Sequence, residues 1–407
     1  MATQLFTTFS GDSQTYIAAK TLIRINRDCI VYGLGRKEKL PHRYSTTFQY
    51  TRYEKLNLPQ TTLTEGVTPS NTSISISTVT AVMNQWGAFV DLSDVVEVTI
   101  KHPVLEQAIT LLGEQAAETI DRECIKTLQA NANVYYAGIA TSRATLGASD
   151  YITTPVLKSA IQFLRTGGAH PVQGRLYWGL MDPSIEMDLL EDDTFVLAAS
   201  YSNIVALQNG EAGRWMGVRW MVSNLIPEMA VLTSPSTAAN ATAGSLTTST
   251  NYYIQVTQVN NTLGFEVAVS AVLTQGTSGD TSVQVTMPTS TTNTYNVYFG
   301  STSTALYLSS SGNASAAVVV IGTVPTSGNV PPAVPAAGVT VHTSWVIGRE
   351  AFAVPELMSL QTFLTPKQAS DSDPLLQRRR ASWKVMFKSV ICNDAFLARI
   401  ESASRFG

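Results

Sequence analysis

Between Arg219 and Arg349 the chain contains no lysine or arginine, and from Leu232 to Thr340 its only charged side chains are Glu266 and Asp280. The other 298 of the 407 residues carry all 27 basic groups and 28 of the 30 acidic ones. A single domain with one kind of surface does not change composition so abruptly. The charge-free stretch is edged by SPSTAANATAG and SGNVPPAVPAAG, small Pro- and Gly-bearing segments of flexible-linker type. The chain is therefore read as a parent, 1–231 and 341–407, interrupted by an inserted domain at 232–340.

Within the insert, NYYIQVTQVN, FEVAVSAVLT, TSVQVTM, TYNVYFG, TALYLSS and AAVVVIG are short alternating or β-branched runs at regular spacing. Turn sequences such as Thr277-Ser278-Gly279-Asp280 separate them. This pattern predicts an all-β sandwich. The tyrosines Tyr252, Tyr253, Tyr295 and Tyr298 alternate as sandwich strands do, which favours packing over a carbohydrate platform.

The parent reads differently. From Pro103 to Asn131, Leu105, Ile109, Leu112, Ala116, Ile120, Cys124 and Leu128 recur at steps of three or four. Glu106, Gln107, Glu114, Gln115, Glu118, Asp121, Arg122 and Lys126 fill the other faces. The spacing predicts one amphipathic helix over 103–131, with Pro103 at its first position. Before it, TTFQYTRY places Phe48 and Tyr50 on one face of a strand. The run SISISTVTAVMNQWGAFVDL returns through Ile74, Ile76, Trp86, Ala88, Val90 and Leu92. Two long strands with a polar tip make an extended ribbon, marginal in isolation, whose apolar residues need a covering surface, either a partner's or that of the chain's own core. Asp94 and Glu97 form a small capping signal. Gln14–Cys29 reads as a modest helix behind a polar arm that orders on a partner. Thr154-Pro155 opens a second helix that stops at Gly167-Gly168, and Asp182-Pro183 opens a third. RLYWGLMDP and GVRWMVSNL are strands. Helices and strands without a βαβ repeat make the fold class α+β.

No catalytic chemistry emerges. His42, His102, His170 and His342 are scattered, none paired with another His or Cys at metal-ligand spacing, and no metal or cofactor is expected. GxSxG, HExxH and Walker motifs are missing. Gly33-x-Gly35 lacks the third glycine of a phosphate loop and reads as a turn. Glu191-Asp192-Asp193 reads as a solvated helix end. Arg378-Arg379-Arg380 is the densest basic run, but a formal charge of −3 gives no electrostatic case for a nucleic-acid binder, so inter-subunit ion pairs or a solvated edge are the expectation. Three sparse cysteines, Cys29, Cys124 and Cys392, and an N-terminus without an apolar run predict a soluble, reduced, cytosolically made protein with no membrane segment.

Several segments carry a family likeness. LTEGVTP (63–69), QWGAFVDLSD (85–94), KHPVLEQAI (101–109), LGEQAAETID (112–121), GVRWMVSNL (217–225) and HTSWVIGREAFAV (342–354) do so in order. The most specific is SDPLLQRRRASWKVMFKSVICNDAFLARIES (372–402). Together they resemble the N-four-type tailed-phage major capsid proteins, a group with the Hong Kong 97-type fold. The arginines 378–380 and the insert depart from that pattern. The resemblance implies an N-terminal arm (1–30), an E-loop (46–92), and a P-domain (93–150 and 371–407) with spine helix 103–131. It also implies an A-domain (151–231 and 341–370), with the strands from Trp383 to Ile400 returning to the P-domain. The insert resembles a fibronectin type III or immunoglobulin-like module.

What this implies is a non-enzymatic virion protein. Its copies form pentamers and hexamers of an icosahedral head, work with portal and other head proteins, and enclose double-stranded DNA without reading its sequence. Phe48, Tyr50, Ile74, Ile76, Trp86, Glu114, Arg122, Arg378, Arg379 and Arg380 are the expected assembly contacts. The insert is expected to face outward, with weak contact to host-surface glycans left open. The alternatives are a cell-surface or tail adhesin and an encapsulin-like non-viral shell.

Overall fold

A computed structural model describes residues 30–41, 45–58, 62–63, 65–68, 71–93, 104–192, 213–232, 235–242, 244–261, 263–290, 293–365 and 377–406. The predicted arm and its helix, the Asp94/Glu97 cap, Pro103, His42, His102 and Asp193 lie outside these residues. The chain divides into two compact units, Met1–Ala130 with Glu350–Asp394, and Asn131–Arg349 with Ala395–Gly407.

The first unit is built on helix α1, Val104–Gln129. Its 26 residues span about 39 Å. The predicted stripe is the buried one: Leu112, Ala116, Ile120, Cys124 and Leu128 are each at most 6% exposed. Each fully buried Leu or Ile contributes about 1.5–3 kcal/mol. The stripe packs on a sheet ordered Arg36–Lys39, Phe352–Thr365, Arg378–Phe387, Asn84–Ser93, with Val390–Ile391 also on the second strand. Trp383, Val385 and Phe387 supply its apolar face, and Trp383 Nε1 donates to Gln115 Oε1 at 3.2 Å.

The ribbon consists of Thr47–Tyr53 and Ile76–Val82, antiparallel. The second predicted ribbon strand breaks at Met83, which is buried and donates its N–H to Thr46 O. Asn84–Ser93 then leaves the ribbon and pairs along its whole length with Arg378–Phe387. Alternation alone cannot show this, because both halves keep the same period of two while changing partners.

In the second unit, a six-stranded sheet runs Val134–Tyr136, Leu397–Ser402, His342–Ile347, Tyr177–Met181, Val218–Val222, Arg214–Trp215. His342–Ile347 is buried at every position, so it needs a neighbour on both edges. Leu397–Ser402 supplies one of them. The last strand therefore parts from the Trp383 strand, whereas the sequence expectation sent both to the same domain. Helices α2, Thr154–Thr166, and α3, Pro183–Leu190, share a core with this sheet. Leu157, Ala160, Ile161 and Leu164 of α2 meet Val346, Ala398 and Ile400 there. Helix α2 ends at Gly168, whose φ of +73° lets its N–H reach Arg165 O and that of Ala169 reach Leu164 O.

The charge-poor segment forms two sheets. One runs Ser236–Asn240, Ser282–Thr286, Val318–Ile321. The other runs Ala305–Asn313, Asn293–Thr302, Asn251–Asn260, Glu266–Ser270, Ala230–Leu232, with Leu273–Gly276 also on Asn251–Asn260. Tyr252, Ile254, Val256, Tyr295, Val297 and Phe299 of the second meet Val283, Val285 and Ile321 of the first in a shared core. Three sequence expectations shift. The supposed linker SPSTAANATAG contains a strand, FEVAVSAVLT is two strands rather than one, and Ala230–Leu232 already belongs to the sandwich sheet. A two-way bridge between Met229 and Val341 closes the neck of the segment.

Candidate assembly surface

The ribbon has two unlike faces. Phe48, Tyr50, Val79 and Ala81 lie on one, and they are half-buried or buried. The rings of Phe48 and Tyr50 sit 4.6 Å apart. Burial drives the Tyr50 phenol well above its ordinary pKa, and its hydroxyl has no hydrogen-bond partner among the described residues. On the other face Tyr53 stands directly opposite Ile76, both exposed. Beyond them the tip presents Leu56, Leu58, Leu63, Val67 and Ile74 to solvent, with Leu58 and Leu63 at 76% and 78%. Single exposed leucines are ordinary, but a contiguous run of this kind marks an interaction surface. Ser77 donates to Glu54 Oε1 across the two strands and Arg52 donates to the same oxygen from its own strand, holding the base of the tip together.

The expected contacts therefore separate. Ile74 and Ile76 are open on the ribbon, whereas Phe48 and Tyr50 pack inward. Trp86 lies in the main sheet, and the Arg122 guanidinium sits 5.5 Å from its ring. Arg122 also pairs with Glu123 at 3.2 Å, while its Nε is buried without a hydrogen-bond partner among the described residues. Glu114 is half-buried on α1. Arg378, Arg379 and Arg380 are strand residues opposite Ser93, Leu92 and Asp91, and Arg380 Nε bonds Asp91 at 2.7 Å. Beside them Val90 and Leu92 with Ala108, Leu111 and Leu112 line a groove of about 400 Å³, with Leu111 exposed at its edge.

Buried charges are where sequence reasoning fell short. Asp121, placed on the polar side of α1 by its spacing, is 1% exposed. Its carboxylate accepts the N–H groups of Ile30, Val31 and Tyr32 at 3.0–3.3 Å, capping the 3-10 turn Val31–Leu34. Glu401, also buried, takes a two-pronged contact from Arg143 and lies 3.3 Å from Arg399. Burial lowers the Arg399 pKa. Asp182 caps α3 through Oδ1 (Ile185 N, 3.0 Å) and meets His342 Nδ1 with Oδ2 at 2.5 Å. Burial alone would lower the His342 pKa, but Asp182, with Glu228 and Asp188, outweighs it and raises the value. Asp121 meets its partners from 89 to 91 residues away, Asp182 meets His342 from 160 and Glu401 meets Arg143 from 258, so no spacing signal could have joined them. The acidic run is likewise occupied, since Asp192 accepts from Thr154 and Glu191 pairs with Arg405.

A family model described as phage capsid protein matches residues 77–354, more than half of the chain. The chain belongs to the phage capsid protein family. Solved structures agree on the fold. The cyanophage Pam1 capsid is 10% identical with a TM-score of 0.54, covering 94% of this chain and 92% of that one. The Ralstonia phage GP4 capsid is 10% identical with a TM-score of 0.52, at 92% and 91%. The cyanophage P-SCSP1u capsid is 13% identical with a TM-score of 0.51, at 91% and 87%. No curated protein sequence matches this chain. The capsid protein is thus a structural component of the virion, and its place is in the capsid. Among the described residues no helix is long and apolar enough to cross a membrane.

Proposed function

We propose that this capsid protein is the major shell subunit of a tailed double-stranded DNA phage, assembling as hexamers and pentamers of an icosahedral head. The observation that carries the reading is the ribbon, which projects an apolar tip with no cover from its own described residues. A subunit that stood alone would gain nothing from exposing Leu56, Leu58, Leu63 and Ile74. In a closed shell each tip is buried on a neighbour, and weak contacts repeated around the lattice add up. In Hong Kong 97-type terms, as the N-four-type likeness suggests, the ribbon is the E-loop and α1 the spine of a P-domain. The six-stranded sheet with α2 and α3 is then the A-domain. The sandwich reads as an immunoglobulin-like decoration facing outward, since a surface almost without charge gains nothing beside packaged DNA.

Deleting residues 58–72 tests this. The expected product is soluble, folded protein that forms no closed shells under electron microscopy. Normal heads from the deletion would overturn the role given to the tip. Mass spectrometry of intact particles separates a phage head, with DNA and portal, from a cargo-loaded shell.

A further inference from the structure

The neck of the sandwich segment joins two residues that the shell reading leaves without a role. Glu228 precedes the Met229–Val341 bridge on the way in, and His342 follows it on the way out. The structure brings both to the Asp182 carboxylate at the start of α3. His342 Nδ1 is 2.5 Å from Asp182 Oδ2 and 3.9 Å from Glu228 Oε1, and one ligand atom from each residue falls within a 4.8 Å span. We propose that Asp182, Glu228 and His342 form a binding site for a divalent transition-metal ion of the zinc class, a cross-link at the neck that does not depend on the shell reading.

Four observations converge on it. First, the donor set is one imidazole nitrogen and two carboxylate oxygens, which suits zinc with water in the fourth position. Second, the charged groups acting on His342 are Asp182, Glu228 and Asp188, all acidic, so the site carries negative charge that a bound cation would neutralise. Third, Asp182 is already oriented: the Ile185 N–H holds Oδ1 and turns Oδ2 toward the imidazole. The Asp182 and His342 side chains are 3% and 0% exposed, while Glu228 is 52% exposed and gives an ion a way in from solvent.

The fourth concerns the far side of the ring. His342 Nε2 and the hydroxyls of Ser344 and Ser402 are buried without hydrogen-bond partners among the described residues. All three belong to one face of the sheet, for Ser402 stands directly opposite His342 and Ser344 lies two residues along the same strand. A metal on Nδ1 displaces the Nδ1 proton to solvent and leaves the neutral ring protonated at Nε2. That N–H needs an acceptor, and the Ser344 and Ser402 hydroxyls on the same sheet face would have to turn toward it to serve as one, as acceptors orient metal-bound histidines elsewhere. Ligand atoms at about 2.0–2.2 Å from zinc lie roughly 3.4 Å apart. The buried Asp182–His342 contact at 2.5 Å must therefore open by about 0.9 Å, while the half-exposed Glu228 swings in to close its 3.9 Å contact by about 0.5 Å.

The test uses the full chain, stripped with EDTA and titrated with ZnCl₂ at pH 7 by isothermal calorimetry. The expectation is one zinc per chain at this site and a higher Tm with zinc, with no heat from MgCl₂. Glu228→Gln keeps the buried Asp182–His342 pair intact. It should leave the metal-free Tm unchanged but weaken zinc binding by more than about tenfold, the loss that follows even from removing groups that only orient a ligand. Absence of zinc heat, or zinc binding unaffected by Glu228→Gln because other histidines take it, would overturn the proposal.

Discussion

Removing the carboxylate of Asp121 should detach Ile30–Tyr32 from α1. Three backbone N–H groups, from Ile30, Val31 and Tyr32, end on this one side chain. A hydrogen bond to a charged acceptor contributes about 1.5–3 kcal/mol, and a donor left buried and unpaired costs about 1–3 kcal/mol. Val31 is fully buried and cannot turn to water, whereas Ile30 and Tyr32 are half-buried and can. Weighting them accordingly, about 2 kcal/mol for Val31 and about 1 for each of the others, Asp121→Ala should cost about 4 kcal/mol locally. At about 1.4 kcal/mol per factor of ten, amide exchange at Val31 should accelerate by roughly a thousandfold. Asp121→Asn keeps one acceptor oxygen but no charge, and should fall about midway. Hydrogen–deuterium exchange with mass spectrometry reads both. If Val31 in folded Asp121→Ala exchanges within about threefold of the parent protein, the capping argument is wrong. Limited proteolysis at Ile30–Leu34 should rise in the same order, since this carboxylate anchors that turn.

Three further outcomes follow from the same structure. Arg143→Ala leaves the buried Glu401 with Arg399 alone and should destabilise its unit by about 3 kcal/mol in urea unfolding; a loss under 1 kcal/mol would show the ion pair to be dispensable. Glu356 is buried with only Ser359 donating to it, and burial raises its pKa. Its protonated form is the one the fold favours, so its contribution is present at acid pH and lost as pH rises through the folded value. Glu356→Gln should therefore raise Tm at pH 7, with the gain vanishing below about pH 4, as scanning calorimetry at both pH values will show. Replacing residues 230–340 by a short Gly/Ser linker cuts at the Met229–Val341 bridge and should leave a soluble chain that still assembles, judged by electron microscopy; insoluble protein would make the sandwich a folding element.

Much of this architecture was legible along the chain. The amphipathic period defined α1 nearly to the residue, Gly167-Gly168 and Asp182-Pro183 marked helix ends, and the near-absence of charge from Leu232 to Thr340 announced the sandwich. These are local signals, set by propensity, period and capping within a few residues. The tertiary structure decided what depends on partners far along the chain. Asn84–Ser93 leaves the ribbon because Arg378–Phe387 offers it a full-length partner. Leu397–Ser402 joins His342–Ile347 because a strand buried at every position needs pairing on both edges. Phe48 and Tyr50 turn inward while Tyr53, Leu58 and Ile76 stay open, a choice that alternation cannot make because it names two faces without saying which is covered. Asp121, Glu401 and the Asp182–His342 pair look like surface charges in sequence. They are buried because Ile30–Tyr32, Arg143 and His342 reach them from 89 to 258 residues away, and only the folded chain brings those groups within hydrogen-bond reach.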